Sequence, residues 1–385
     1  MKKIKILMVA GSMHVGGIEN QLMHLARNAD KNKFQIDFTS TMKDAFFRKE
    51  IESLGGKFIL IPDMNWSKPW EYCIAMYKIL KNGGYDVVHS HELFHSGITL
   101  AIARLTGVKS RIVHAHNWRD EDGTGRKRSF IRQIYNLVMR KLILCCSTSQ
   151  LACSTWAGRF LYGEKCLTKT SYHLIYNSVD TSKFLFNYGK QESGDFCEDD
   201  KWINVINVAR ISAVKNQEFL VKVASELKKR HSNIRILCAG SGDEKYVERV
   251  AEMIKAEGVN DYIQLLGVRK DIDSLMRKAK AFVLPSKYEG MPLVLIEAQA
   301  SGLPCVVADT FSREVDFGLG RIAWLKLEKG ISVWADALED AVQKGRAPKQ
   351  DVEKVVREKQ FDATMFAEKL CELYQTDYKN QRNRI

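Results

Sequence analysis

No apolar run in this 385-residue sequence approaches the roughly 20 residues that a membrane-spanning helix needs. Cys-x-x-Cys pairs are also absent, and the nine cysteines include the adjacent Cys145 and Cys146, whose geometry suits a structural disulfide poorly. We therefore expect reduced thiols in a reducing compartment. The apolar run Ile6–Ala10 is too short for a signal peptide, although lysines precede it. We predict that it is a first strand and that the chain is cytoplasmic.

Short-period repeats and low-complexity tracts are missing too, and the 45% hydrophobic and 27% charged residues are typical of a globular protein. The charge is uneven along the chain. Residues 1–185 hold 27 basic and 15 acidic side chains, a net of +12, whereas residues 186–385 hold 32 and 31, a net of +1. A positive surface on the first half attracts nucleic acid, anionic lipid or phosphorylated substrates.

The length predicts two domains, because single cores stop growing near ~250–300 residues. Short apolar runs alternate with helical patterns in both halves, which indicates βαβ units and parallel sheets covered on both faces. The last strand of the first half is predicted at Leu142–Ser147. We predict a first domain at residues 1–185, a polar linker at 186–200, a second domain at 201–362, and a C-terminal helix at 363–385 that can pack back on the first domain.

Three loops carry candidate binding residues. Gly16 and Gly17 precede a helix, where they form either a phosphate site or a tight turn, and the absence of Gly-x-Gly-x-x-Gly argues against a dinucleotide. In the second half, Arg210 and Lys215 flank a strand-to-helix loop, where two cations can neutralise a diphosphate or form a surface pair. A later loop and helix carry Glu289, the main-chain amides of Gly290, Met291 and Leu293, Pro292 at a position suited to the first turn of the helix, and Glu297.

Together these loops resemble the retaining nucleotide-sugar glycosyltransferases of glycosyltransferase family four, of the bacterial capsule and exopolysaccharide type. The resemblance spans nearly the whole chain and includes Asn177–Asp180, Ala239–Asp243 and Gly302–Pro304 in the family's order. It departs from the family at Ser178 and Ala209, where glycine is usual. The resemblance implies the GT-B fold, an α/β architecture of two Rossmann-like doubly wound domains that face each other across a cleft.

The resemblance also implies residue roles. Arg210 and Lys215 would hold the donor diphosphate, and Glu289 would contact hydroxyl groups of the transferred sugar. The main-chain amides between Gly290 and Leu293 would bind sugar and phosphate, and Glu297 would bind the ribose. Gly16 and Gly17 would line the cleft. The anomeric configuration would be retained, and UDP-sugars are the expected donors. No Asp-x-Asp motif has a suitable context, so we predict no metal and no cofactor besides the nucleotide-sugar substrate.

Histidines cluster in the first half at His89, His91, His95, His114 and His116. The resemblance points to His116 as the catalytic histidine beside the sugar, with His91 as a second candidate on the acceptor side. Zinc is a competing interpretation, because imidazoles two apart on a strand share a face, although no carboxylate or cysteine cluster completes a site. We expect structural roles for His89 and His114.

The segment Arg126–Leu144 combines basic residues with an apolar stripe. It is either a helix lying on an anionic membrane surface or one whose stripe faces the sheet. The charge imbalance favours the membrane, and the family habit implies a lipid-linked saccharide acceptor at the inner face of the membrane. Two alternatives stay open. An epimerase or hydrolase would need paired carboxylates, for which Glu92 and Asp120 are the candidates, and a nucleic-acid-binding protein would need aromatic residues among the basic ones.

Overall fold

The computed structural model describes residues 2–13, 16–64, 68–117, 130–185 and 201–382. These residues form two compact units. The first contains Met1–Ser178 and Phe361–Ile385, and the second contains Val179–Gln360. Each is built on one parallel β-sheet, so the prediction of two doubly wound α/β domains is confirmed.

The first unit has a seven-stranded sheet in the order β3-β2-β1-β4-β5-β6-β7. Its strands are β1 (Ile4–Val9), β2 (Phe34–Ser40), β3 (Phe58–Leu60), β4 (Val87–Ser90), β5 (Ser110–Ala115), β6 (Ser149–Ala152) and β7 (Tyr172–Leu174). The strand order reverses between β1 and β4, the place where open α/β sheets bind ligands outside the carboxyl ends of their strands. β1 and β4 are almost fully buried, as expected of a parallel sheet with both faces covered.

Helices cover both faces of this sheet. They are α1 (Gly17–Asn28), α2 (Arg48–Ser53), α3 (Pro69–Gly83), α4 (Ser96–Leu105), α5 (Phe130–Cys146), α6 (Thr155–Tyr162) and, from the end of the chain, α14 (Ala363–Arg382). α14 packs against α1 and β5. It is anchored by Asp377, a buried carboxylate that accepts hydrogen bonds from Ser110, from Thr148 Oγ1 at 2.6 Å and from Ser149 Oγ at 3.1 Å.

The second unit has a six-stranded sheet in the order β10-β9-β8-β11-β12-β13, with its reversal between β8 and β11. Its strands are β8 (Ile203–Val208), β9 (Ile234–Ala239), β10 (Ile263–Gly267), β11 (Ala281–Leu284), β12 (Cys305–Ala308) and β13 (Ile322–Leu325). Its helices are α7 (Thr181–Phe184), α8 (Gln217–Lys229), α9 (Glu244–Ala256), α10 (Ile272–Lys278), α11 (Leu293–Ala300), α12 (Ile331–Lys344) and α13 (Lys349–Glu358).

The unit boundaries differ from the predicted domain boundaries. The chain enters the second unit after Ser178 rather than after residue 185, because α7 packs on α10 and α11. It returns to the first unit at Phe361, two residues before the predicted C-terminal helix. The predicted linker, residues 186–200, lies outside the described residues.

The predicted strand Leu142–Ser147 is wrong. Those residues continue α5 up to Cys146, because Met139, Ile143 and Cys146 keep helical spacing and bury one face, and the strand follows later as β6. Within the described ranges, no helix combines the length and the apolar character needed to span a bilayer.

Candidate functional site

The loop between β8 and α8 holds both predicted cations. Gln217 fixes this loop from inside, because its side-chain oxygen accepts from Ser212 N at 3.1 Å and its amide donates to Arg210 O at 3.2 Å. Asn216 precedes α8 in the left-handed conformation, with φ 63°. The Arg210 side chain is exposed and Lys215 is half-buried. The loop therefore presents two cations from one rigid segment.

Two glycines bring the next loop against this one. A Cβ at Gly240 would lie 2.0 Å from Ala209 O, and a Cβ at Gly242 would lie 2.0 Å from Ile211 O. Gly240 also has φ 149°. Only glycine permits such a close main-chain approach, so these two positions fix the backbone on either side of Arg210.

The loop between β11 and α11 brings Glu289 to Lys215. Lys215 Nζ lies 2.5 Å from Glu289 Oε1, and Ser286 Oγ donates to the same oxygen at 2.7 Å. Lys287 N donates to Val214 O at 2.8 Å, which joins the two loops through their main chains. Because β8 and β11 are the strands at the reversal of the sheet, this pair lies at the carboxyl edge where open α/β sheets bind ligands.

The start of α11 differs slightly from the prediction. Pro292 precedes the helix in an extended conformation and α11 begins at Leu293, so the proline is the cap and not the first helical residue. Gly290, Met291, Pro292 and Leu293 are all buried. The segment therefore surrounds a helix N-terminus, whose dipole favours negative charge.

Glu297 lies in α11 and is half-buried. Burial raises the pKa of its carboxyl to about 7, and the positive charge of Lys183 opposes that rise in part. This carboxyl therefore titrates in the neutral pH range.

The glycine pair of the first unit lies beside a carboxylate. Gly16 caps α1, and a Cβ there would lie 2.3 Å from Glu19 Oε2, the far end of a flexible side chain. Ser12 Oγ donates to Glu19 Oε1 at 2.7 Å. The Glu19 charge already complements the N-terminus of α1, so a phosphate there would meet an acidic neighbour. His14 and Val15 of this loop lie outside the described residues.

The candidate histidines converge at the ends of β4 and β5. His91 Nδ1 and His116 Nε2 are 2.8 Å apart, and His89 Nδ1 lies 2.7 Å from Tyr374 Oη of α14. His89, His91, His114 and His116 are all buried. Burial lowers the pKa of each, that of His116 to about 3, so all four rings are neutral at pH 7. His116 Nδ1 is buried without a hydrogen-bond partner. His95 is half-buried beside Tyr135 instead, at 5.8 Å between ring centroids.

Glu92 has structural partners. Its Oε2 accepts from Tyr72 Oη at 2.8 Å and from Thr99 Oγ1 at 3.2 Å, and burial raises its pKa. This arrangement favours a role in packing α3 and α4 over acid–base chemistry. The other carboxylate considered for an epimerase or hydrolase, Asp120, lies outside the described residues.

α5 exposes the apolar stripe that the sequence analysis singled out. Phe130 is 75% exposed, Ile131 72% and Leu137 55%, with Ile134 and Val138 also exposed. The opposite face, which includes Met139 and Ile143, is buried against the rest of the first unit. Arg132 and Lys141 are exposed on α5, whereas Arg140 donates to the main-chain oxygens of Phe160 and Leu161. The basic residues 126–128 lie outside the described residues.

Sequence reasoning missed two groups at these sites. Ser286, which contacts Glu289, stands within the motif at a position that gave no chemical signal. Tyr374, which contacts His89, is 285 residues away along the chain and follows from no local pattern.

Two sequence families match the chain. Residues 15–183 match the family described as Glycosyltransferase Family 4, and residues 192–356 match Glycosyl transferases group 1. The chain is 34% identical to glycosyltransferase EpsF of Bacillus subtilis strain 168, over 99% of this chain and 98% of that protein. It is 29% identical to the capsular polysaccharide biosynthesis glycosyltransferase CapH of Staphylococcus aureus, over 81% and 82%.

A further relative and a solved structure extend the comparison. The UDP-Gal:alpha-D-GlcNAc-diphosphoundecaprenol alpha-1,3-galactosyltransferase of Escherichia coli is 27% identical, over 71% of this chain and 68% of that protein. The crystal structure of Anabaena HepE with UDP-glucose superposes with a TM-score of 0.75 at 17% identity, over 97% of this chain and 99% of that one.

Proposed function

The chain belongs to glycosyltransferase family 4 and has the GT-B fold, and from this we propose that it transfers a hexosyl unit from a UDP-sugar to a lipid-linked saccharide in surface polysaccharide assembly. The transfer retains the anomeric configuration and needs no metal at the diphosphate. The observation that carries the proposal is the contact between Lys215 and Glu289 at the reversal of the second sheet, with Arg210 in the same loop.

The ion pair between Lys215 and Glu289 is the contact that the donor diphosphate replaces in this proposal. Lys215 neutralises Glu289, a carboxylate that is only 9% exposed. A diphosphate carries more charge than one carboxylate and takes over Lys215, together with the exposed guanidinium of Arg210. Glu289 then turns to hydroxyl groups of the transferred sugar, while Ser286 continues to hold one of its oxygens. Glu297 accepts from the ribose at the other end of the diphosphate.

The cations also act on the reaction. As the bond between the anomeric carbon and the diphosphate oxygen breaks, negative charge grows on the leaving phosphate. Arg210, Lys215 and the N-terminus of α11 stabilise that charge, so no divalent ion is required there. The acceptor hydroxyl attacks from the face that the diphosphate leaves, and its proton passes to the departing diphosphate oxygen. The new glycosidic bond therefore keeps the donor's configuration.

His116 contacts the sugar in this proposal. Its ring is neutral and Nδ1 is a buried polar atom without a partner, a costly state that a ligand hydroxyl would relieve. His91 orients the ring through Nε2 and so acts as a positioning residue on the acceptor side. Gly16 and Gly17 allow the acceptor to approach the main chain at the start of α1.

The lipid-linked acceptor and the membrane location of the enzyme are inferred from α5, from the net charge of residues 1–185 and from a relative. The relative in Escherichia coli is named for a diphosphoundecaprenol-linked acceptor, which is held in a membrane. The exposed stripe of α5 offers apolar side chains to the lipid interface, and the net charge of +12 in residues 1–185 favours anionic headgroups. The enzyme therefore works at the cytoplasmic face of the membrane.

A donor panel tests the transfer. Thermal stabilisation of the purified chain by UDP-sugars identifies the donor, and release of UDP on addition of a lipid-linked saccharide then measures transfer. Lys215→Met and Glu289→Gln are expected to lose at least about 100-fold in kcat/KM, because each removes a group that acts in the transition state. Lys287→Met, a neighbouring exposed lysine whose main chain alone bonds to the β8–α8 loop, is the matched control. If Lys215→Met and Glu289→Gln were as active as Lys287→Met, the proposed roles of Lys215 and Glu289 would be refuted.

Vesicle binding tests the membrane surface separately. The double variant Ile131→Ser, Leu137→Ser is expected to lose at least about tenfold in partition to vesicles with anionic lipid, since it removes two exposed apolar side chains. Val268→Ser, an equally exposed aliphatic residue of the second unit, should bind like the unaltered chain. Unchanged binding of the α5 variant would exclude this helix as the docking surface.

A further inference from the structure

The four buried histidines of the first unit occupy neighbouring strands of one sheet. His89 lies in β4 and His91 directly after it, and His114 lies in β5 with His116 just beyond. The register of β4 and β5 pairs Ser90 with Val113, so the next position along both strands pairs His91 with His114. The ring centroids of these two histidines are 5.6 Å apart. Side chains two apart on a strand share a face. All four rings therefore occupy one face of the sheet at its carboxyl edge.

Three of these rings place nitrogen atoms close to one another. One ring nitrogen from each of His89, His91 and His114 lies within 4.8 Å of one from each of the other two. In all three residues Nε2 is buried and has no hydrogen-bond partner. Buried polar atoms are normally paired, so three unpaired ones in one place indicate a missing partner that all three share.

The other ring nitrogens already have partners. His89 Nδ1 faces Tyr374 Oη at 2.7 Å and His91 Nδ1 faces His116 Nε2 at 2.8 Å. The ring of His114 has a hydrogen bond with the main chain of Ile175. Histidines that bind a metal commonly hold it with one nitrogen while the other N–H donates to a nearby acceptor, which fixes the tautomer. With Nδ1–H as the donor in each ring, all three Nε2 atoms keep a free lone pair.

We propose that His89, His91 and His114 bind a divalent transition metal of the zinc class through their Nε2 atoms. Imidazole nitrogen suits zinc, cobalt, nickel and copper, whereas magnesium and calcium prefer oxygen ligands. Zinc takes nitrogen at about 2.0–2.1 Å, which brings tetrahedral ligands to roughly 3.3 Å from one another. Binding therefore requires the three nitrogen atoms to close from separations of up to 4.8 Å to that value. The fourth position is left for water or another ligand.

This site is separate from the metal-independent diphosphate chemistry proposed above, because its ligands all come from the first unit. It changes the expected roles of the histidines, however. His91 becomes a ligand, and through its Nδ1–H it holds His116 in the tautomer that keeps the proton on Nδ1. The metal thus stabilises the packing of α14, through Tyr374, and the orientation of His116 together.

Metal titration of the full-length, untagged chain tests the proposal without donor or acceptor. After treatment with a chelator, the chain is titrated with Co²⁺ and with Zn²⁺. We expect one metal ion per chain by elemental analysis, visible ligand-field bands of four- or five-coordinate cobalt, and a rise in the melting temperature with zinc concentration. The absence of stoichiometric uptake would overturn the proposal.

Three variants locate the metal. His114→Gln removes a ligand and should abolish stoichiometric uptake. Tyr374→Phe removes only the partner of His89 and should weaken binding about 10–100-fold. His173→Gln, a histidine of β7 outside the cluster, should bind metal like the unaltered chain. Uptake that survives both of the first two variants unchanged would overturn the proposal, and Tyr374→Phe decides the matter if His114→Gln does not fold.

Discussion

Donor affinity should depend on pH through Glu297. Burial raises the pKa of its carboxyl to about 7, and only the ionised form offers both carboxyl oxygens as full acceptors to the two ribose hydroxyls. Binding is therefore complete above this pKa and is lost as the pH falls through it. About nine tenths of the side chains are ionised at pH 8 and about one tenth at pH 6. The Kd should therefore rise about tenfold from pH 8 to pH 6, which equals about 1.4 kcal/mol.

Calorimetric titration with UDP-glucose between pH 5.5 and pH 8.5 would measure this dependence. UDP-glucose is the better probe, because both its phosphates stay ionised over this range whereas the terminal phosphate of UDP titrates within it. Glu297→Gln should bind more weakly at pH 8 and show a flat profile. Glu244→Gln, an exposed glutamate at the start of α9, should keep the profile of the unaltered chain.

Two results would refute the reasoning. A tenfold dependence that persists in Glu297→Gln would assign the titration to another group. Tighter binding at pH 6 than at pH 8 would mean that the protonated acid is the form that meets the ribose. Either outcome would remove Glu297 from the role of a carboxylate acceptor.

Three further predictions concern stability, each measured as the free energy of unfolding in urea. Lys215→Met should cost about 1–3 kcal/mol because it leaves the charge of Glu289 buried, and adding Glu289→Gln should recover at least about 1 kcal/mol of that loss. Asp377→Ala should cost about 1–3 kcal/mol in the first unit, since it removes the acceptor of three hydroxyl groups. Gly242→Ala should cost about 3 kcal/mol because its Cβ would overlap a main-chain oxygen, whereas Gly11→Ala, with no atom within 4 Å, should cost little.

Controls sharpen these measurements. Additive effects of the Lys215 and Glu289 substitutions, within about 0.5 kcal/mol, would mean that the ion pair contributes no coupling. Glu372→Ala, an exposed acid of α14, should leave the first unit as stable as before, and an equal loss in this variant would contradict the anchoring role of Asp377. Hydrogen exchange of α14 amides reports the same difference locally.

The sequence predicts which residues of the second unit carry its chemistry, but it does not predict which of them are in contact. The strand-to-helix pattern around Arg210, Lys215 and Glu289 predicts that these residues lie at the carboxyl edge of a sheet. That Lys215 touches Glu289 depends on β8 and β11 being neighbours, although three helices and two strands separate them along the chain. Strand adjacency is a property of the whole sheet, and no local pattern encodes it.

The first unit shows the same limit in another form. Alternation along a strand predicts that His89 and His91 share a face, as do His114 and His116. It does not predict that the two pairs are adjacent. The amphipathic pattern of α5 was also visible, but its apolar stripe could face the sheet or the solvent. The side chains packed around Met139 and Ile143 decide that question, and they come from distant parts of the chain.

The return of the chain to the first unit has a consequence for biosynthesis. On the ribosome, β1 to β7 emerge long before α14, and the entire second unit is translated in between. The hydroxyl groups that bond to Asp377, and the imidazole of His89 that contacts Tyr374, lack these hydrogen-bond partners throughout that interval. Nascent chains therefore carry an immature amino-terminal half until elongation is nearly finished, and premature termination near residue 360 would damage the earliest-made part of the protein most.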